Sequence, residues 1–108
     1  MLCMLTVRRL KPGAEEAFAR AWAPERWHPR MDSAYHLRRQ DDPREVITFA
    51  VFDGDAEAID AMRDDPHWMA GEERRLAGIA PLEQEITLTG VFDVVEAVRG
   101  ERAGSARE

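Results

Sequence analysis

Histidine and cysteine are the residue types in this chain that most often bind metals or attack substrates. The three histidines, His28, His36 and His67, are too scattered along the chain for the spacing of a metal site. Cys3 is the only cysteine, and no residue beside it suggests that it is activated as a nucleophile. The sequence also contains no glycine-rich phosphate loop. We therefore expect no metal ion, no covalent intermediate on cysteine and no nucleotide phosphate site.

A run of acidic residues follows the middle of the chain, and it could be taken for a calcium loop: Asp53, Asp55, Glu57 and Asp60. The run lacks the closing glutamate that such a loop requires. Acidic side chains at a helix start are stabilised by the helix dipole. We interpret the run as the solvated beginning of a helix.

Length and charge restrict the classes of partner. The chain has 108 residues, of which 44% are hydrophobic, and this favours one globular domain. It carries 21 acidic and 15 basic residues, so its net charge of -6 argues against a nucleic-acid or anionic membrane surface. A lone cysteine permits no internal disulfide, which favours a cytoplasmic location. The apolar start is short and its arginines follow it, unlike a signal peptide, and no apolar run is long enough to cross a membrane.

Residues 45–53 are the segment around which the other elements are arranged, because both faces of this predicted strand are apolar. Val46, Ala50 and Phe52 alternate with Ile47, Phe49 and Val51. A domain of this size buries only about two-thirds of its surface on its own. Covering the second face by self-association would therefore stabilise it.

Hydrophobic periodicity and turn residues predict the order strand, helix, strand, strand, helix, strand. The segments are residues 2–10, 14–23, 33–40, 45–53, 55–80 and 82–95, with a turn at 41–44, a helix restart at Pro66 and a bulge near Gly90. This order is typical of the α+β, ferredoxin-like βαββαβ fold with an antiparallel four-stranded sheet. Helices would cover one face of the sheet, and a two-fold homodimer would cover the other. We predict one domain over residues 1–97 and a loose charged tail over 98–108.

Several short segments resemble the antibiotic biosynthesis monooxygenase (ABM) family in their order and spacing. They are residues 11–18 (KPGAEEAF), 21–22 (AW), 65–68 (DPHW), 79–82 (IAPL) and 90–95 (GVFDVV). The resemblance covers roughly residues 2–95. It implies a dimeric α+β barrel. Members of the family include cofactor-independent monooxygenases that act on aromatic, polyketide-like molecules. Others are haem-degrading enzymes or proteins of unknown role.

The resemblance also suggests where a site would lie. In the monooxygenase interpretation Trp68 would stack on the substrate, and His36 or Arg38 would stabilise its anion. Four further residues are expected to line the pocket between sheet and helices: Trp22, Phe49, Arg63 and His67. Competing interpretations exist, since Trp22 also fits an apolar helix stripe and His67 an exposed helix start.

The chain departs from the family pattern in two ways. Enzymatic members commonly use an asparagine on the first strand, but this sequence contains no asparagine and has Thr6 in that region. The helix region that would supply a haem-binding histidine reads RRLAG at 74–78, which disfavours haem. A non-enzymatic protein that binds a small hydrophobic ligand is therefore the alternative function, and an assembly module acting through its tail is a third.

Overall fold

The computed structural model describes residues 1–24 and 27–100, which form four strands and three α-helices. In chain order these are β1 (Leu2–Leu10), α1 (Glu15–Trp22), β2 (Met31–Arg39), β3 (Asp42–Phe52), α2 (Ala56–Arg63), α3 (Pro66–Ile79) and β4 (Glu83–Asp93). A short 3₁₀ turn, Ala80–Leu82, joins the last helix to the last strand. None of the helices in these two ranges is long and apolar enough to cross a membrane.

The strands form one antiparallel sheet in the order β2-β3-β1-β4. The two central strands pair without a break from Leu2 opposite Phe52 to Arg9 opposite Glu45. This arrangement, with the helices on one face, confirms the predicted ferredoxin-like α+β fold.

Side-chain caps explain where the second and third helices begin. Asp55 accepts a hydrogen bond from the Ala58 amide at 3.2 Å. Asp65 accepts from the amides of His67 and Trp68 at 3.0 and 3.3 Å, with Pro66 in the first helical position. The interruption predicted at Pro66 is therefore confirmed. It separates two helices, so that α3 starts on a cap of its own.

Two local predictions were wrong. The turn between β2 and β3 contains only Gln40 and Asp41, because Asp42 already pairs with Arg39 and Pro43 lies at the start of β3. A proline is tolerated there because it stands at the beginning of a strand. The irregularity in β4 lies opposite Val7 to Leu10, whereas Gly90 pairs with Leu5 in regular register.

The side of the sheet that faces the helices carries two separate hydrophobic clusters. The first contains Leu10, Ala14, Phe18, Val46 and Ile79. The second contains Leu2, Phe52, Ile59 and Met62. Trp22 packs against the first cluster and Trp68 against the second, so the two tryptophans flank the space between the clusters.

The opposite side of the sheet is apolar and has no cover within the described part of the chain. Tyr35 is 52% exposed and stacks on Phe49 with ring centroids 5.1 Å apart, and Leu88 is 50% exposed. The two-sided apolar character predicted for β3 is thus confirmed. The homodimer that would cover this face stays a prediction.

The chain leaves the sheet after Asp93, where the Val94 amide donates to the carbonyl of Met1 at 3.1 Å. Residues 94–100 form no helix or strand. Most of the predicted tail, 101–108, lies outside the described residues, so the domain boundary at residue 97 stays a prediction.

Candidate binding cavity

A cavity of about 500 Å³ lies between the sheet and the helices, in the space between the two hydrophobic clusters. This volume is within the range of roughly 300–1,000 Å³ found for small-molecule sites. Four apolar lining residues are more than 40% exposed and lie at the rim that opens to solvent: Trp27, Leu76, Ile86 and Val91. The cavity is therefore accessible to a ligand from outside.

Polar side chains from three neighbouring strands form the floor of the cavity. Thr6 on β1 lies opposite Thr48 on β3 and opposite Thr89 on β4. Side chains at directly opposed positions point to the same face of a sheet, so the three hydroxyl groups form a row. The Oγ1 atoms of Thr6 and Thr89 are 3.0 Å apart. The row gives a ligand hydrogen-bonding groups on an otherwise apolar surface.

Arg8 continues the polar part of the floor, two residues further along β1, and the residue is only 5% exposed. Its Nε donates to Glu83 Oε2 at 2.8 Å, and its Nη1 donates to Thr48 Oγ1 at 3.0 Å. The guanidinium carbon lies 5.5 Å from the centre of the Phe18 ring, which adds a cation–π contact. The charge of Arg8 is therefore held in a fixed position by three neighbours.

Aromatic and methionine side chains form the walls. Trp22 and Trp27 meet edge to face with ring centroids 5.7 Å apart, and Trp68 meets His28 in the same manner at 5.0 Å. Three methionines from the start of β2 and from the helices complete the walls: Met31, Met62 and Met69. Tryptophan and methionine supply large apolar contact areas, so the walls suit a flat hydrophobic molecule.

The loop before β2 fixes the tautomer of His28. Its Nδ1 accepts a hydrogen bond from the Arg30 amide at 3.1 Å. A neutral imidazole with an occupied acceptor at Nδ1 carries its proton on Nε2. His28 therefore offers an N–H donor, and Nε2 makes no hydrogen bond within the described residues.

Arg75, which forms an ion pair within α3, also joins that helix to the end of α1 at the edge of the cavity. Arg75 donates through Nη2 to Glu72 at 2.8 Å and through Nη1 to the Trp22 carbonyl at 3.0 Å. The Trp22 carbonyl belongs to the last turn of α1, where carbonyls lack helical partners. The pair therefore holds Trp22 in place while both charged side chains remain half-buried.

Two of the predicted site residues lie in the cavity wall and a third lies at its rim. Trp22 and Trp68 are the wall residues. Arg63 also borders the cavity, with its side chain 55% exposed and 3.9 Å from Asp60. Phe49 borders the cavity only through its strand, because its ring is on the opposite side of the sheet against Tyr35. The position of its ring does not support the expected role as a wall residue, which stays a prediction.

The other three predicted residues lie away from the cavity. The His36 ring packs behind Trp22, 5.7 Å away, and 5.1 Å from Phe18. Arg38 is exposed on β2, an edge strand, and His67 is exposed at the start of α3. None of the three lines the cavity. The structure therefore assigns none of them a contact with a ligand there.

Four polar lining residues were not predicted from the sequence: Arg8, Thr6, Thr48 and His28. A signal existed for Arg8 and Thr6, since both share the strand face of Leu2 and Leu10, where a charged or polar residue is unexpected. No comparable signal marked His28, because a histidine in a loop needs no special explanation.

The position of His36 gives a pH-dependent prediction. Burial, and then the nearby Arg38, lower the pKa of His36 from its usual 6.5, and its Nε2 is buried without a partner among the described residues. As pH falls below 6.5 the unfolded chain therefore binds a proton more readily than the folded protein, and stability decreases. We expect His36→Leu to lose less stability than the wild type between pH 7 and pH 5 in urea unfolding. Equal losses of unfolding free energy in His36→Leu and the wild type would contradict this prediction.

No group of three or more histidine, cysteine, aspartate or glutamate side chains within residues 1–24 and 27–100 is placed to hold a metal ion. The chemistry that the cavity itself supplies is therefore apolar contact, hydrogen bonding from hydroxyl and imidazole groups, and the charge of arginine.

Solved structures with the same architecture identify the fold. A protein from Chloroflexus aurantiacus J-10-fl, assigned as an antibiotic biosynthesis monooxygenase, is 17% identical over 91% of this chain and 96% of its own, with a TM-score of 0.68. A point variant of SnoaB, a cofactor-independent oxygenase from Streptomyces nogalater, is 17% identical over 92% and 97%, with a TM-score of 0.67. This chain has the ABM fold.

A further ABM-fold neighbour is Rv0793 from Mycobacterium tuberculosis, which is 16% identical over 91% of this chain and 98% of its own, with a TM-score of 0.63. No protein-family model and no curated protein sequence matches the chain. At these identities the comparisons establish the ABM fold, which confirms at the level of fold the resemblance that the sequence segments indicate. The fold hosts more than one function, so function must be argued from the cavity.

Proposed function

We propose that this protein binds a flat aromatic molecule in the cavity and oxidises it with molecular oxygen without a cofactor. The observation that carries the proposal is the cavity of about 500 Å³ walled by three tryptophans, with hydroxyl and imidazole groups at its surface. The ABM fold supports it, because one structural neighbour is a cofactor-independent oxygenase.

The chemistry requires a substrate that forms a stabilised anion. An aromatic ring system with an activated CH₂ group loses a proton, and its anion gives one electron to O₂. The two radicals combine to form a C–O bond, the peroxide anion takes back a proton, and the resulting hydroperoxide loses water to leave a carbonyl group. One oxygen atom enters the product and the other leaves as water, so the four electrons lost by carbon are those gained by O₂.

The protein would contribute position and electrostatics to this sequence. Trp68 and His28 meet edge to face, so a ligand ring can contact the Trp68 face while the His28 Nε2–H donates to a ligand oxygen. The hydroxyls of Thr6 and Thr48 offer hydrogen bonds from the floor. Preorganised donors at developing negative charge are often the largest single contribution to catalysis.

Ligand binding without turnover is the second candidate function. The absence of asparagine favours it, since the resemblance gave that residue a part in the enzymatic members. The hydroxyls of Thr6 and Thr89 also already contact each other, which reduces what they offer a substrate. Oxygen uptake distinguishes the two functions, because binding alone consumes none.

The exposed apolar side of the sheet supports a homodimer as the working form. Four large side chains on it are more than a third exposed: Tyr35, Leu37, Leu88 and Phe92. Contiguous apolar surface of this kind marks an interface. We place this dimer in the cytoplasm on the basis of the lone cysteine.

We expect Trp68→Ala to reduce turnover of an anthrone-like substrate by 10-fold or more, because it removes the largest wall contact with the ring. The measurement is oxygen consumption by protein free of metal and flavin, with a panel of anthrones and hydroquinones. Glu73→Ala, an exposed change on the same helix, is the control. Turnover unchanged in Trp68→Ala would remove this cavity as the site, and no uptake with any compound would favour binding alone.

A further inference from the structure

We propose that the cavity selects an anionic ligand, a planar aromatic molecule whose ionised oxygen is bound by Arg8 and Thr48. The inference rests on the proposed function for the location of the ligand. It adds the chemical class of that ligand and the group that recognises it.

The charge of the lining is the reverse of the charge of the chain. The lining contains three arginines, Arg8, Arg63 and Arg75, and one acidic residue, Glu72. The whole chain carries 21 acidic residues against 15 basic ones. Each of these arginines has an acidic neighbour, Glu83 for Arg8, Asp60 for Arg63 and Glu72 for Arg75, which offsets much of this positive charge. Recognition of an anion therefore depends on guanidinium N–H groups that the acidic partners leave unpaired.

Arg8 has donor capacity that its protein partners leave unused. A guanidinium group carries five N–H bonds. One goes to Glu83 and one to Thr48, and no hydrogen bond within the described residues involves Nη2. The Nη2 atom is not fully buried, although the Arg8 side chain as a whole is only 6% exposed. Arg8 lines the cavity, so we infer that the donors without a partner among the described residues can meet a ligand there.

Thr48 supplies a second donor at the same place. Its Oγ1 accepts from Arg8 Nη1, so its own hydrogen is free to donate. An oxygen anion beside the pair could accept one bond from the guanidinium and one from the hydroxyl. Hydrogen bonds between ionised groups are roughly twice as strong as neutral ones, and they gain further where water is excluded.

A neutral ligand would fit this floor poorly. It would occupy the space next to Arg8 and displace the water that the unused guanidinium N–H groups would otherwise bind. It would not itself replace the hydrogen bonds of that water. Leaving such donors unpaired weakens binding by roughly 5- to 100-fold. The alternative, a ligand chosen by apolar contact alone, predicts no difference between charged and neutral molecules of the same shape.

Binding of two non-oxidisable probes tests the proposal independently of turnover. The probes are anthracene-9-carboxylate and 9-hydroxymethylanthracene, which share a ring system and differ in charge. Affinities are measured by titration calorimetry at two salt concentrations. We expect the carboxylate to bind wild-type protein about 10-fold more tightly or better, and the difference to shrink in Arg8→Met. The neutral probe should bind Arg8→Met at least as tightly as the wild type, because the variant has no guanidinium donors to leave unpaired.

Arg39→Met is the matched control, because it removes one positive charge from an exposed hairpin position. It should keep the preference for the carboxylate. A third probe, 2-anthrol, identifies the source of the anion. Phenolate-like absorption of its bound form assigns the oxygen to an ionised phenol, and its absence with tight carboxylate binding assigns it to a carboxylate.

Equal affinity of the wild type for the two matched probes would overturn the proposal, as would a carboxylate preference that survives Arg8→Met. Failure of both probes to bind would overturn it too. If Arg8→Met does not fold, the wild-type comparison decides alone. Carboxylate selectivity without oxygen uptake would refute the proposed oxygenation and leave this inference standing.

Discussion

Phe49→Asp is expected to produce a folded monomer in place of the proposed dimer. The Phe49 side chain lies on the uncovered side of the central strand β3, stacked on Tyr35 and paired across the sheet with Leu5. In a sheet-to-sheet dimer an aspartate there would be buried without a partner, which costs about 3–5 kcal/mol for each unpaired charge. The hydrophobic clusters on the helix side do not include Phe49, so the fold should survive.

Sedimentation over a range of concentrations measures this effect, with circular dichroism to confirm folding. Gln40→Asp, which places the same charge in the exposed hairpin turn, should leave the dimer intact. A wild-type protein that sediments as a monomer at all concentrations would refute the dimer. So would a Phe49→Asp protein that still sediments as a dimer.

Phe18→Ala should cause the largest loss of stability in a single protomer. Phe18 is fully buried and packs with Leu10, Val46 and Ile79. Its ring also contacts His36 edge to face and lies 5.5 Å from the Arg8 guanidinium. Truncating a buried phenylalanine costs about 3–5 kcal/mol, because apolar contact is lost and a cavity is left.

Urea unfolding at one fixed protein concentration measures the change, since dimer stability depends on concentration. Glu16→Ala, an exposed position on the same helix, should change the unfolding free energy by less than about 0.5 kcal/mol. If the two variants were equally stable, Phe18 would not be the centre of its cluster. Phe18→Leu should fall between them.

Much of the architecture could be predicted because it depends on local patterns. The two apolar faces of β3 follow from a period of two, and the starts of α2 and α3 follow from Asp55 and from Asp65 before Pro66. The hairpin turn was placed wrongly because Pro43 is a common turn residue. Only the pairing register of β2 with β3 shows that Pro43 lies inside a strand.

The candidate site was harder to predict because it is a space between elements. His36 faces the helices, as its alternation with Tyr35 allows, but α1 rather than the cavity covers that part of β2. Arg8 was visible as a charged residue on an apolar face. The partners of Arg8 leave some of its donors unused because of where Glu83 and Thr48 lie in the fold. No local sequence pattern encodes those positions.

Because the hydrophobic interior is divided into two clusters, a bound ligand should change the stability of the protein. A ligand between Trp22 and Trp68 would bridge clusters that are otherwise connected by the sheet and by α3, which carries Trp68 and Ile79. The bound molecule would then complete the interior as a side chain does, and its binding free energy would add to the resistance against unfolding. Without ligand, amide exchange should be faster in α2 and α3 than in β1 and β3. A bound ligand should slow exchange in the two helices more than in the two strands.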